Sequence, residues 1–212
     1  MKNRLTFLGK FVILISRCQP EVPMKRIDSS LFNLSADLLA PLLIGKLLCR
    51  RTNSGILRHR ITETECYLGE DDSACHAHRG KTLRNAPLYM SGGHSYVYLC
   101  YGIHNLLNVV SGPKDHPEAV LIRGVDGYNG PGKLTRAMSI DRSLNAIDLT
   151  VSEDLWLEDD GVILPCRTAP RVGIDYAAPI DRERPWRFIA ELQKTTDEAN
   201  LIGSFLMVLI QI

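Results

Sequence analysis

The sequence predicts an α+β fold: a single domain built on a curved, largely antiparallel β-sheet with a few peripheral helices. Three observations carry that expectation. Segments Ser95–Tyr101, Asn105–Ser111 and Glu118–Val125 are rich in Tyr, Val and Leu and are separated only by short polar or glycine-bearing breaks. That is the pattern of successive antiparallel strands. Asn53-Ser54-Gly55 lies between two further strand-like runs, Lys46–Arg51 and Ile56–Leu68, which is a hairpin signal. Helical periodicity is confined to two short stretches, too few to separate the strands into parallel βαβ units.

In chain order, residues 1–28 stand apart. They open MKNRLTFLGKFVILISRC, basic residues and then the apolar run Phe11–Ile15. The run is short, Ser16 and Arg17 end it, and no small-x-small cleavage site follows. An extension from an upstream start, with Met24 as the working start, fits this better than a signal peptide. Residues 29–190 form the expected domain. Ser35 precedes Ala36–Leu48, where Leu38, Leu39, Leu42, Leu43 and Leu47 recur at helical spacing. Pro41 lacks an N–H and ends or kinks this helix. The first hairpin follows, then the second, which turns at Gly102, then the strand Glu118–Val125. Gly130-Pro131-Gly132 opens a short helix, Lys133–Ile140. Arg171–Ile174 and Arg187–Ala190 are short strand candidates. Residues 191–212 are a tail whose last part, LIGSFLMVLIQI, is too short to cross a bilayer and reads as a terminal buried strand.

Charge excludes some functions. The 212 residues hold 25 Lys+Arg against 24 Asp+Glu, a formal net charge of +1. Nucleic acid is therefore not held by bulk basicity, and any phosphate-binding face must be local. No apolar run spans a membrane. Six cysteines are scattered without a C-x-x-C pair, so reduced thiols in the cytoplasm are expected. Residues 146–160 contain Asp148, Glu153, Asp154, Glu158, Asp159 and Asp160 and no Lys or Arg; they read as a solvated loop or edge.

Three segments carry the chemistry. In Ile61-Thr62-Glu63-Thr64-Glu65-Cys66-Tyr67, strand alternation puts Ile61, Glu63, Glu65 and Tyr67 on one face. Two carboxylates beside an aromatic ring suit a reactive site; an edge strand with both carboxylates in water fits equally well. In Ser95–Gly102, Tyr96 and Tyr98 share a face, while Tyr101 sits beside the turn glycine with little core to bury it. Between these lies Cys75-His76-Ala77-His78-Arg79-Gly80-Lys81-Thr82-Leu83-Arg84-Asn85, a basic loop suited to phosphate contacts. Cys66, Cys75, His76 and His78 raise a zinc site, but no second ligand pair follows at finger-like spacing, so no metal is expected.

These segments resemble the alkyladenine (3-methyladenine) DNA glycosylase family of the human alkylpurine type, in its bacterial form. The resemblance rests on RITETECYLGEDDSACHAHRGKTLRN (60–85), GGHSYVYLCYGIHNLLNVVSG (92–112), EAVLIRGV (118–125), GPGKL (130–134) and PRVGI (170–174), in the family's order and spacing. It covers roughly residues 35–190. It fades after Phe188, where the tail departs from the family's polar turn and final strand.

The resemblance implies a monofunctional hydrolase that flips alkylated or deaminated purines out of duplex DNA. It would cleave the N-glycosidic bond with water, leaving an abasic site for base excision repair. Glu65 matches the general base, and Arg123 and the main-chain carbonyl of Val172 match groups that help hold the water. Arg123 is expected to keep Glu65 ionised. Tyr67, His76 and Tyr98 match the walls of the base pocket. Asn108 matches a residue that excludes normal purines with an exocyclic amino group. Tyr101 matches the side chain that fills the gap in the duplex, and Arg84 and Lys133 match DNA-backbone contacts. The expected partner is duplex DNA containing damaged purines, met by a monomer at the nucleoid, with no cofactor and no strand-cleaving lysine. Arg79, Lys81, Arg84, Arg123 and Lys133 supply the local basic patch; five neutralised phosphates would give a log–log salt slope of about −4 to −5. A non-catalytic damaged-DNA binding module has no need of Glu65. A secreted nucleoside hydrolase has little use for an exposed Tyr101.

Overall fold

The computed structural model describes residues 24–191. The N-terminal apolar run and the strand expected near the C-terminus lie outside them. In chain order the strands are β1 (Lys25–Arg26), β2 (Leu47–Thr52), β3 (Gly55–Leu68), β4 (Ser95–Cys100), β5 (His104–Ser111), β6 (Glu118–Val125), β7 (Tyr128–Asn129), β8 (Leu155–Asp159), β9 (Cys166–Ala169) and β10 (Arg187–Ala190). They form one open, curved sheet in the order β1-β8-β2-β3-β6-β5-β4, with β7 added to β6 and the β10–β9 pair added to β3. Every pairing is antiparallel. The α+β expectation holds.

Strand β3 organises the sheet. Its first half pairs with β2 about the Asn53-Ser54-Gly55 turn. Its second half pairs with β6 and also with β10. Against β6 the register shifts between Ile61 and Glu63 and again between Glu63 and Thr64. An extra residue in one strand breaks the alternation and re-aims side chains. Ile61 therefore joins Cys66 in the main core instead of sharing a face with Glu63, as strict alternation predicts. Opposite the bulge is Gly124, where an added Cβ would lie 3.2 Å from Glu63 Cβ; the missing side chain makes room for Glu63.

Helix α1 (Ala36–Leu43) covers the core side of β3, burying Ala36, Leu39, Ala40 and Leu43. Truncating Leu39 to Ala would cost about 2–5 kcal/mol, the usual range for a buried leucine. The helix ends lean on the sheet: Glu118 accepts from the Ala36 N–H at 2.8 Å, and the Thr64 hydroxyl donates to the Ala40 carbonyl at 2.9 Å. Both take up backbone groups that a short helix leaves unpaired. The helix stops earlier than Leu48 because Gly45 turns at φ +88° and donates to the Ile61 carbonyl at 2.9 Å. Leu47 is a strand residue, and Leu38 and Leu42 are exposed. Pro41 is accommodated inside the helix.

Three further expectations change. Only the first part of the acidic run is a solvated loop, with Glu153 and Asp154 exposed; from Leu155 it is strand β8, where Leu155, Trp156 and Leu157 are buried. Glu158 pairs with Arg58 at 2.8 Å, Asp159 with Lys46 at 2.7 Å and Asp160 with Arg60 at 2.7 Å. Its charge is spent on the basic first hairpin. Arg171–Ile174 is not a strand; Pro170 and Gly173 (φ +76°) break extension there, and the strand of this region is β9. Helix α2 (Pro131–Ala137) starts two residues before Lys133, at the proline whose φ suits a first turn. Helix α3 (Pro179–Glu183) was not anticipated. No helix among the described residues is long and apolar enough to cross a membrane.

Candidate active site

On the face of β3 away from α1 lies a cavity of about 680 Å³, lined by Tyr67, His76, Tyr98, Asn108, Arg123 and Val172 among others. Its size is that of a pocket for a flat heterocycle rather than for a single ion. Six segments meet there: β3, the 74–88 loop, the β4–β5 hairpin, β6, the start of α2 at residues 130–133, and the turn at 172–176. Arg84, Tyr101 and Lys133 also line it, so every residue to which the resemblance gives a role is at or beside one cavity. Glu65 is the exception in degree only. Its side chain is fully buried and sits behind Tyr67, Arg123 and Val172, all of which touch it.

The Glu65 carboxylate is tightly held. Oε1 accepts from the Val172 N–H at 2.8 Å and lies 3.4 Å from Arg123 Nη1; Oε2 accepts from the Tyr67 hydroxyl at 2.9 Å. Burial pushes its pKa above the ordinary carboxylate value, while Arg123, the Val172 N–H and the Tyr67 hydroxyl pull the other way. Removal from water outweighs these partners, so the pKa stands above the ordinary value even though Arg123 favours the charged form. A more basic carboxylate with fixed donors is what a general base requires.

Aromatic rings make the wall. His76 and Tyr98 have centroids 4.5 Å apart at 70°, and Tyr96 stacks on Tyr98 at 5.3 Å. His76 Nδ1 is 2.9 Å from the Tyr96 hydroxyl. Desolvation, and secondarily the nearby Arg84, bring the imidazole down to about 4, so it is neutral at pH 7. Asn108 is buried and donates to the Tyr96 carbonyl at 3.1 Å, which fixes its amide beside the wall.

The rim is polar and exposed. Tyr101 is 88% exposed at the tip of the β4–β5 hairpin, with φ +49°. A bulky residue in the left-handed region is strained, and such strain persists where a side chain must be presented in one direction. Arg84 lies 5.7 Å over the Tyr98 ring and donates to the Leu99 carbonyl at 3.3 Å, tying the basic loop to the hairpin. Lys133 is exposed in the first turn of α2.

The sequence reading missed the residues that hold this arrangement. Arg171 is buried, pairs with Asp72 through both guanidinium amines, and donates to the Cys66 carbonyl at 3.0 Å. Its guanidinium stacks between Tyr67 and Trp186, at 4.7 and 4.9 Å. It thereby fixes the turn that presents the Val172 N–H. Tyr176 also lines the cavity and donates to the Ala74 carbonyl at 2.9 Å. Arginine in Pro170-Arg171-Val172-Gly173-Ile174 was a visible signal, but a charged residue beside glycine gives no sequence sign of burial.

The family model described as Methylpurine-DNA glycosylase (MPG) matches residues 30–128 and 125–194. A relative from Methanocella arvoryzae is 40% identical over 189 residues, covering 80% of this chain and 92% of its own. One from Psychrobacter cryohalolentis is 46% identical over 165 residues, covering 64% and 78%. One from Borreliella burgdorferi is 39% identical over 179 residues, covering 76% and 94%. Each is provisionally named a 3-methyladenine DNA glycosylase.

Proposed function

The chain belongs to the methylpurine-DNA glycosylase family and is a DNA glycosylase, and on that premise we propose that it flips alkylated or deaminated purines out of duplex DNA and removes them with an activated water. The observation that carries the reading is the Glu65 carboxylate, buried at the back of an aromatic cavity and held by Arg123, Val172 and Tyr67.

Cleavage of an N-glycosidic bond passes through a cationic sugar. Glu65 takes the proton from a water placed on the far side of the sugar from the leaving base, and its charge stabilises the cation. Arg123 and the Val172 main chain hold the carboxylate in one orientation. The flipped purine stacks against Tyr67, His76 and Tyr98; stacking contributes about 1–3 kcal/mol per base and tolerates many purines. A cationic alkylpurine gains further from the ring faces. Asn108, with its amide fixed, disfavours purines that carry an exocyclic amino group by an unmet hydrogen bond or a clash.

Tyr101 enters the gap the base leaves and restores part of the lost stacking. Arg84 and Lys133 contact phosphates beside the lesion. The protein works as a monomer, in the bacterial cytoplasm at the nucleoid. The test is base release from duplexes carrying hypoxanthine or 3-methyladenine. The expected product is an abasic site, cut only after alkali. A strand nick formed before alkali would contradict simple hydrolysis by water.

A further inference from the structure

Of the two carboxylates on β3, the reaction above uses only Glu65. We propose that Glu63 is a positioning residue of the same site: through two arginines it holds both groups that grip Oε1 of Glu65. This rests on the base-removal reading and deepens it.

The geometry forms a closed circuit. Glu63 Oε1 accepts from Arg123 Nε at 3.2 Å and from Arg187 Nη1 at 3.0 Å. Arg123 turns its Nη1 to Glu65 Oε1 at 3.4 Å. Arg187 donates from Nε to the Pro170 carbonyl at 2.9 Å, two residues before Val172, whose N–H reaches the same Glu65 oxygen at 2.8 Å. One carboxylate thus fixes the side-chain partner of Oε1 directly and braces the turn that supplies the main-chain partner. The strands agree with this. Arg187 on β10 lies in register with Glu65 on β3, so Glu63 and Glu65 share one basic flank.

Glu63 reaches this place because of the bulge. The register shifts on both sides of it, and Gly124 opposite leaves space its own Cβ would fill. Bulges beside active sites commonly re-aim one side chain. The pairing also divides the charge of Arg123 between two acids. Glu63 is 8% exposed and shared by two guanidinium groups, so it stays bound whether or not Glu65 carries a proton. Arginine suits the post because its planar fork serves two acceptors at once.

The test compares Glu63→Ala, Glu63→Gln and wild type by single-turnover base release and by affinity for a lesion duplex. A misplacement near 1 Å costs on the order of 100-fold in rate, so Glu63→Ala should lose roughly that in release, while the dissociation constant changes by less than about threefold. Glu63→Gln keeps an oxygen for both arginines and should recover most of the rate. It also removes a negative neighbour, so its acid limb should move to lower pH. The charges facing Glu65 are Glu63 from β3, Arg123 from β6, Arg187 from β10, and Arg171 beyond Tyr67 from the 170–174 turn. In an Arg123→Ala background, Glu63→Ala should add little further loss, since the two act as one unit.

Full activity in Glu63→Ala overturns the proposal. So does an equal fall in rate and affinity with a lowered melting temperature and no rescue by Gln, which marks a structural ion pair. A wild-type protein inert on every lesion overturns the base-removal reading instead, and the role of Glu63 with it.

Discussion

Replacing Tyr101 with Ala isolates the wedge. The ring is 88% exposed in the free protein, so its removal leaves no internal cavity and spares the fold. A buried aromatic side chain covers about 150–250 Å², and at about 25 cal/mol per Å² that is roughly 4–6 kcal/mol gross. Immobilising the ring and unstacking the flipped base consume part of this. The net is the measured stacking range of about 1–3 kcal/mol, or about 5- to 150-fold in the dissociation constant. Alanine occupies the same backbone conformation at φ +49°, so backbone strain largely cancels in the comparison. Anisotropy titration of a lesion duplex and calorimetric titration of free hypoxanthine read the two losses separately. Duplex binding should weaken within that range, free-base binding by less than twofold, and the melting temperature should be unchanged. Equal losses for duplex and free base would refute the wedge, as would a duplex affinity that does not change.

Three other outcomes follow from the geometry. Burial raises the Glu65 pKa above the ordinary glutamate value of 4.5, so the folded state binds its proton more tightly than the unfolded chain. That contribution to stability is complete below about pH 4.5 and is lost as the pH rises through the folded value. Glu65→Gln should therefore gain melting temperature relative to wild type between acidic and neutral pH; a gap that shrinks on that path contradicts the burial account. Arg171 and Asp72 are a fully buried pair, and removing one partner of such a pair costs about 3–5 kcal/mol; Arg171→Met should show this in chemical denaturation, and a loss below about 1 kcal/mol would refute it. Arg123 is engaged by Glu63 and Glu65, which leaves Arg79, Lys81, Arg84 and Lys133 as the patch without acidic partners among the described residues. The salt slope on duplex DNA should then be about −3 to −4, shallower than the sequence estimate; a slope near zero would contradict a local patch.

What could be read in advance was whatever depends on local chemistry. Asn53-Ser54-Gly55 and Gly102 mark hairpin turns because Gly55 (φ +121°) and Gly102 (φ +74°) take backbone angles that side chains resist, and both turns are where they were expected. The cavity wall was legible through the parity of Tyr96 and Tyr98 and through motif resemblance. Illegible features depend on partners distant in the chain. The bulge that turns Ile61 inward and seats Glu63 is set by Gly124 on another strand. Strand β8 was hidden by its acidic residues, whose meaning lies in Arg58, Lys46 and Arg60 about a hundred residues away. The weight of burial over Arg123 at Glu65 could not be judged before the depth of the site was known.

The central claim is that Glu65 performs the chemistry and not the recognition. Glu65→Gln keeps the shape of the site and removes the base. In one experiment, the variant's affinity for a hypoxanthine duplex and its single-turnover release are measured against wild type. The affinity should stay within about threefold, while release should fall by at least the 10²–10⁴-fold that general-base catalysis supplies. Release at the wild-type rate by Glu65→Gln would contradict the account.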